Sequence, residues 1–253
     1  MLRKKFIKVI KRHINFNSRL AVIKKMGAGL VALLFLAMSS LFVGCVDKKA
    51  SNACLPSESL VVVIDAGHGG IDGGVSGVNT GVKESDINLE IAKLLAKEFL
   101  SGGFSVVMTR STTAGLYGHT GAGHKRRDMQ AREKIIKQAN PALVISIHQN
   151  KFSSPSRRGA QVFYKAGSEG GNSLAKCVQN QLNNLKENGK KCFPLSGDYY
   201  LLNISPCPAV IVECGFLSNA QDEKLLISAE YQKQLVGAIF YGALSFLESN
   251  QTE

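Results

Sequence analysis

The run "LVVVI", Leu60–Ile64, constrains the fold of this chain more than any other segment. A short strand that is apolar at every position must be covered on both faces, and that is the environment of a parallel sheet layered with helices. Beyond this strand the chain alternates in kind. Asp86–Leu100 sets Ile87, Ile91, Leu94, Leu95 and Phe99 at helical spacing and stops at Gly102-Gly103. "FSVVMT" is a second strand, Arg126–Ala139 a second helix halted by Pro141, and "ALVISI" a third strand. "AQVFY" comes next, then a helix over about Ser173–Leu185. After an irregular stretch come "YYLLN" and "PAVIVE", with terminal helices over about Asp222–Leu247. Alternation of this kind predicts a single α/β domain with a mostly parallel sheet and helices on both faces.

In such sheets, functional groups collect beyond the carboxyl ends of the strands. His68 lies just past "LVVVID", His148 ends "LVISIH", and Glu213 ends "AVIVE". Glu84 sits in the loop returning to the first helix. Two imidazoles and a carboxylate are a common donor set for a catalytic zinc, with the fourth position left for water. A second carboxylate beside that water is placed to act as general base. Each residue also has a plainer reading. His68 can cap a turn, His148 can hydrogen-bond a loop, and Glu84 can be an acid favoured by a helix N-terminus. Glu213 is harder to explain structurally, because an acid beside buried apolar residues is costly without a partner. A phosphate loop is disfavoured: "GHGGIDGG" lacks the lysine of a P-loop and does not match GxGxxG.

The net charge of +12 suggests nucleic acid until its distribution is read. Nine Lys/Arg and no acid precede Cys45, so the remainder holds 22 bases against 19 acids and is nearly balanced. Nucleic-acid binding thereby loses its compositional support. Residues 1–45 read instead as an export segment. A basic stretch leads into 18 uncharged residues, Gly27–Gly44, which as a helix would be about 27 Å long. It is a long signal or an uncleaved anchor, with the body outside the cytoplasm. "LFVGC" resembles a lipoprotein box with Phe42 where Leu is usual, which leaves lipidation at Cys45 open. Residues 46–59 suit a linker, and the domain spans 60–249. Among the six cysteines, Cys54 falls in the linker, and Cys177, Cys192, Cys207 and Cys214 are scattered. A Cys177–Cys192 bridge is one option; free buried thiols are the favoured state.

Six segments taken in order resemble the zinc-dependent N-acetylmuramoyl-L-alanine amidases of bacterial cell walls. They are "VVVIDAGHGGIDGG", "GVKESDINLEIAKLL", "VVMTR", "LVISIHQN", "GAQVFY" and "PAVIVECGFLSN", and the resemblance runs over Leu60–Leu247. It implies a twisted sheet of about six strands, zinc on His68, Glu84 and His148, and Glu213 as the catalytic glutamate. The implied reaction is hydrolysis of the amide joining muramic acid to L-alanine in peptidoglycan. The family's usual Pro stands as Ala66 here, and its "SIHAN" is "SIHQN", which marks Gln149 and Asn150 as candidate substrate contacts. "KRRDMQAREKII", "YYLLN" and "VECGFLSN" look most like the amidases that tailor the spore cortex of endospore formers. In that setting a separate muramic deacetylase completes lactam formation before germination. The alternatives are a vegetative cell-separation amidase, a zinc peptidase, or a non-catalytic binder of peptidoglycan.

Three further expectations concern neighbouring residues. Arg132 aligns with a recurrent family arginine and is read as a structural salt bridge. His119 and His124, in "YGHTGAGHKRRD", are read as exposed or substrate-proximal rather than metal-binding. Lys125, Arg126 and Arg127 read as a solvated charge run that could attract an acidic polymer.

Overall fold

The computed structural model describes residues 59–189 and 191–249. The expected export segment, the expected linker as far as residue 58, Cys45 and Cys54 lie outside the described residues. Six strands form one sheet: β1 (Val61–Ala66), β2 (Ser105–Met108), β3 (Leu143–Asn150), β4 (Gln161–Lys165), β5 (Leu195–Gly197) and β6 (Ala209–Phe216). Their order is β2-β1-β3-β6-β4-β5. Every pair is parallel except β4 with β6. Val62, Val63 and Ile64 are wholly buried, as an all-apolar strand requires.

The helices are α1 (Glu84–Ser101), α2 (His124–Ala139), α3 (Glu169–Leu182), α4 (Tyr200–Ile204), α5 (Ala220–Leu226) and α6 (Ala229–Ser249). α1 and α3 both pack on α6 and on the sheet, whereas α2 packs on α4. The α2–α4 side carries its own apolar cluster, in which Ile136, Leu201 and Leu202 meet Val63, Val144, Ala209 and Ile211. Each of the Val, Leu and Ile side chains among them contributes about 1.5–3 kcal/mol on burial. α1 buries Ile87, Ile91, Leu95 and Phe99, four of the five positions its spacing predicts, with Leu94 half-buried, and Gly103 at φ +86° turns the chain out of it. α2 ends at Asn140 with φ +43°, just before Pro141.

The fold class agrees with the expectation from sequence, and several boundaries move. α1 starts two residues before Asp86, α2 two before Arg126, and α3 runs Glu169–Leu182 rather than Ser173–Leu185. Ser168 sets that earlier start, because its hydroxyl caps the Gly171 amide. "YYLLN" is largely helical, as α4. The sixth strand is β5, three residues inside the stretch read as irregular, too short and too exposed to carry an apolar pattern. Cys177, Cys192, Cys207 and Cys214 form no disulfide, and Cys214 alone of the four is fully buried. Among the described residues no helix is long and apolar enough to cross a membrane.

Candidate active site

Strand register stacks the site in layers on the α2–α4 side of the sheet. Val63 and Val144 belong to the apolar cluster. Two residues further along, Asp65 lies opposite Ser146, and two beyond that His148 lies opposite Glu213. Residues paired across adjacent parallel strands point to the same face, about 4.8 Å apart. The polar layers therefore begin within the strands, where their apolar runs end, and Glu213 is held beside His148.

Glu84, the first residue of α1, completes the group. Its Oε1 lies 2.9 Å from His148 Nδ1 and 3.3 Å from His68 Nε2, and the three candidate donor atoms all fall within 4.8 Å of one another. Donors about 2.1 Å from a tetrahedral ion sit roughly 3.4 Å apart, so the set fits one small cation. The remaining positions are also satisfied. Glu84 Oε1 accepts from the Gln149 amide (3.1 Å) and Asn88 Nδ2 (3.2 Å), and Oε2 accepts from the Val75 amide (2.9 Å). His68 Nδ1 meets Asp72 at 3.0 Å, which orients its other nitrogen toward Glu84.

The electrostatics suit a cation. Burial alone would raise the Glu84 pKa, but the hydrogen bonds and charges of His148 and His68 outweigh it and hold the carboxyl well below the usual carboxylate range. Burial alone would lower His68, yet Glu84 and Asp72 raise it to about 9. These are groups crowded together with a positive charge wanted between them. Glu213 behaves oppositely. Burial pushes its carboxyl up to about 7, helped by Glu84 and opposed by His148 and His68. Its Oε2 is a buried oxygen with no hydrogen-bond partner. An acid poised near neutrality, with an oxygen to spare, can both take and return a proton.

Glycine makes the approach possible. A Cβ on Gly67 would stand 2.3 Å from the His148 ring, and one on Gly74 would stand 2.4 Å from Glu84 Oε2. His68 itself adopts φ +59°, a left-handed conformation that non-glycine residues rarely take. A cavity of about 290 Å³ opens from His68 and His148 between Tyr117, His124 and Lys125 on one side and Tyr199 and Tyr200 on the other.

The structure brings His68, Glu84 and His148 together, with Glu213 beside them. The two substrate-contact candidates follow His148 directly on β3. Gln149 is buried and donates to Asn88 Oδ1 at 3.1 Å, so its amide supports Glu84 from behind, and neither Gln149 nor Asn150 lines the cavity. Strand alternation accounts for Gln149, which follows His148 and so faces away from it. His124 lines the cavity, and His119 is exposed. Arg127 is no solvated charge, because its guanidinium takes the carbonyls of Tyr117, His119, Gly121 and Ala122. Arg132 is fully buried and paired with Asp65 and Asp128, as a structural arginine should be. Three supporting residues carried too little signal to be singled out from sequence. Asp72 and Asn88 each stand four positions after a candidate ligand, and Arg110 closes the "VVMTR" segment after β2.

Two imidazoles, one carboxylate that could join them on a metal and one near-neutral carboxylate at the carboxyl edge of an α/β sheet are the side-chain complement of a single-metal hydrolase. The chain belongs to the N-acetylmuramoyl-L-alanine amidase family, whose model matches residues 62–245. It is 33% identical over 196 residues to the germination-specific N-acetylmuramoyl-L-alanine amidase of Bacillus subtilis, covering 76% of this chain and 81% of that one. The CwlD amidase of Clostridioides difficile, solved in complex with the GerS lipoprotein, superposes with a TM-score of 0.72 at 33% identity, covering 76% of this chain and all of that one. The amidase AmiC2 of Nostoc punctiforme gives a TM-score of 0.65 at 32% identity, over 75% of this chain and 97% of that one.

Proposed function

We propose that this chain is a zinc-dependent hydrolase of the amide between N-acetylmuramic acid and L-alanine in peptidoglycan. Zinc is the ion of choice for a His/Glu/His donor set, and when bound it supplies Lewis-acid activation of water and of a carbonyl. His68, Glu84 and His148 hold it. Glu213 accepts the proton of the attacking water and delivers it to the leaving alanine amine. Gly67 and Gly74 keep the space in which the ligands converge, and the cavity beside them receives the scissile amide. The observation that carries this reading is the partnerless Glu213 oxygen, buried across from His148.

Residues 60–249 form the catalytic domain, behind an export segment at 1–45 and a linker at 46–59. Action is extracytoplasmic, on the wall or spore cortex, with Cys45 as a lipid-anchor candidate. The germination-specific relative and the CwlD-like fold favour the cortex. Removal of stem peptides there leaves the lactyl carboxylate of muramic acid free, and a deacetylase that bares the neighbouring amine is the reaction class that must come next for a lactam to close. The partner solved with CwlD is a lipoprotein, so the deacetylase stands here as a subsequent step and not as a bound partner.

Purified sacculi incubated with the domain from Leu60 onward plus zinc provide the test, read by mass spectrometry of the released fragments. Free stem peptides and unsubstituted glycans are expected. Shortened stems still joined to muramic acid would make the enzyme a peptidase. Cortex muropeptides from a deletion strain should lack muramic lactam, and normal lactam with chained vegetative cells would assign a cell-separation role.

A further inference from the structure

We infer that Arg110 and Arg132 are positioning residues for the metal site, acting on His68 and Glu84 through the backbone; this rests on the metal site proposed above. Neither guanidinium touches a ligand side chain. Both take the carbonyls of the ligand loop. Ala66 O accepts from Arg110 Nε (2.8 Å) and Arg132 Nη1 (2.9 Å). Gly67 O accepts from Arg110 Nη2 (2.9 Å), and His68 O from Arg132 Nη2 (2.7 Å). Three successive carbonyls thus turn inward onto two buried arginines, and that keeps His68 in its left-handed conformation with the imidazole facing Glu84.

Arg110 also spans the two ligands. The Nη2 that holds Gly67 O donates to Ser85 O at 2.8 Å, so one nitrogen ties the residue before His68 to the residue after Glu84. Arg132 is anchored below. Its Nη1 meets Asp65 Oδ1, and its Nε lies 2.6 Å from Asp128 Oδ2. Asp65 in turn accepts from Thr109 Oγ1 (2.7 Å) and Ser146 Oγ (2.6 Å). The two arginines are thus balanced by Asp65 and Asp128, and the clamp is bolted to the rigid part of the sheet. A planar fork with fixed donors can hold two carbonyls at once, which a lysine ammonium on a flexible stem cannot do in the same geometry.

The test is zinc affinity, measured by competition with a chromophoric chelator on full-length protein and its Arg110→Lys and Arg132→Lys variants, with melting temperature monitored in parallel. Supporting groups behind metal ligands typically contribute about 10–100-fold to affinity. Each variant should stay folded, bind zinc about 10–100-fold more weakly, and regain most turnover at saturating zinc. Arg158→Lys, at an ion pair with Asp222 that includes none of the candidate ligands or their loop carbonyls, is the control and should leave zinc affinity unchanged. Zinc binding within threefold of the parent in both loop variants would overturn the inference, whatever their melting temperatures. If Arg132→Lys fails to fold, Arg110→Lys decides alone, and loss of fold in both would reduce the pair to a structural role. A parent protein that binds no zinc would instead sink the metal reading itself.

Discussion

Two glycine-rich loops border the same cavity, and both carry histidine. The loop around 66–75 brings His68 to the candidate metal site, whereas the loop around 115–124 brings His119 and His124 to no ligand cluster among the described residues. The difference lies beneath the side chains. Under His68 the carbonyls are taken by Arg110 and Arg132, both buried among core elements. Under His119 they are taken by Arg127, a half-exposed arginine at the start of α2. A histidine can serve as a ligand when its backbone is fixed from inside the core, because metal coordination tolerates little positional spread. A histidine on a surface loop can still meet a substrate, which brings its own tolerance.

The largest expected effect falls on the residue that needs no ion to hold it. Glu213→Gln should keep zinc and fold while hydrolysis of sacculi falls about 10²–10⁴-fold, the usual contribution of a general acid–base group. Near-normal turnover in that variant would remove Glu213 from the mechanism. His68→Ala and His148→Ala should lose stoichiometric zinc on dialysis, because two remaining protein ligands hold the ion poorly. Full occupancy by metal analysis in both would break the distinction between the loops.

A pH dependence sharpens the same contrast. The pKa of His68 in the folded metal-free protein is raised to about 9 from an ordinary 6.5. Its contribution to stability is therefore complete below about pH 6.5 and is lost as pH rises through about 9. The melting temperature of metal-free protein should fall across that window, and His68→Ala should flatten the fall. Zinc competes with that proton, so affinity should rise as pH increases over the same range. A flat melting profile in the parent would contradict the assigned ion pairs. The smallest effect belongs to the second loop. His119→Ala should leave zinc affinity and turnover within about twofold, and His124→Ala should leave zinc affinity unchanged with at most a modest rise in KM. Such surface substitutions normally move stability by less than about 0.5 kcal/mol. Loss of zinc in either would give the two loops the same role.

Much of this site is readable because its groups sit where the apolar runs of β3 and β6 stop, although both strands continue to Asn150 and Phe216. His148 and Glu213 end apolar runs, and a polar residue there has few structural explanations. Glu84 was legible less from its own position than from the company of the two histidines. Gln149 and Asn150 were readable only as neighbours of His148. The alternation that makes His148 face the cavity makes Gln149 face away, and its amide is spent on Asn88. β5 is not legible because three residues, two of them exposed, carry no period, and "YYLLN" is largely helix because Leu201 and Leu202 pack against Ile136 on neighbouring α2.

Local pattern alone determined the α/β class, the longer helices apart from their exact bounds, and the apolar runs at whose ends chemistry collects. Those depend on hydrophobic periodicity and on residues close in sequence. Only the tertiary structure decided that Asp72 orients His68, that Gln149 backs Glu84, and that Arg110 and Arg132 lock the ligand loop. The bonds from Arg132 to Asp65 and His68 cross 67 and 64 residues, and those from Arg110 to Gly67 and Ser85 cross 43 and 25. No short-range pattern encodes them, because strand order and helix packing, not sequence spacing, set the distance between such groups.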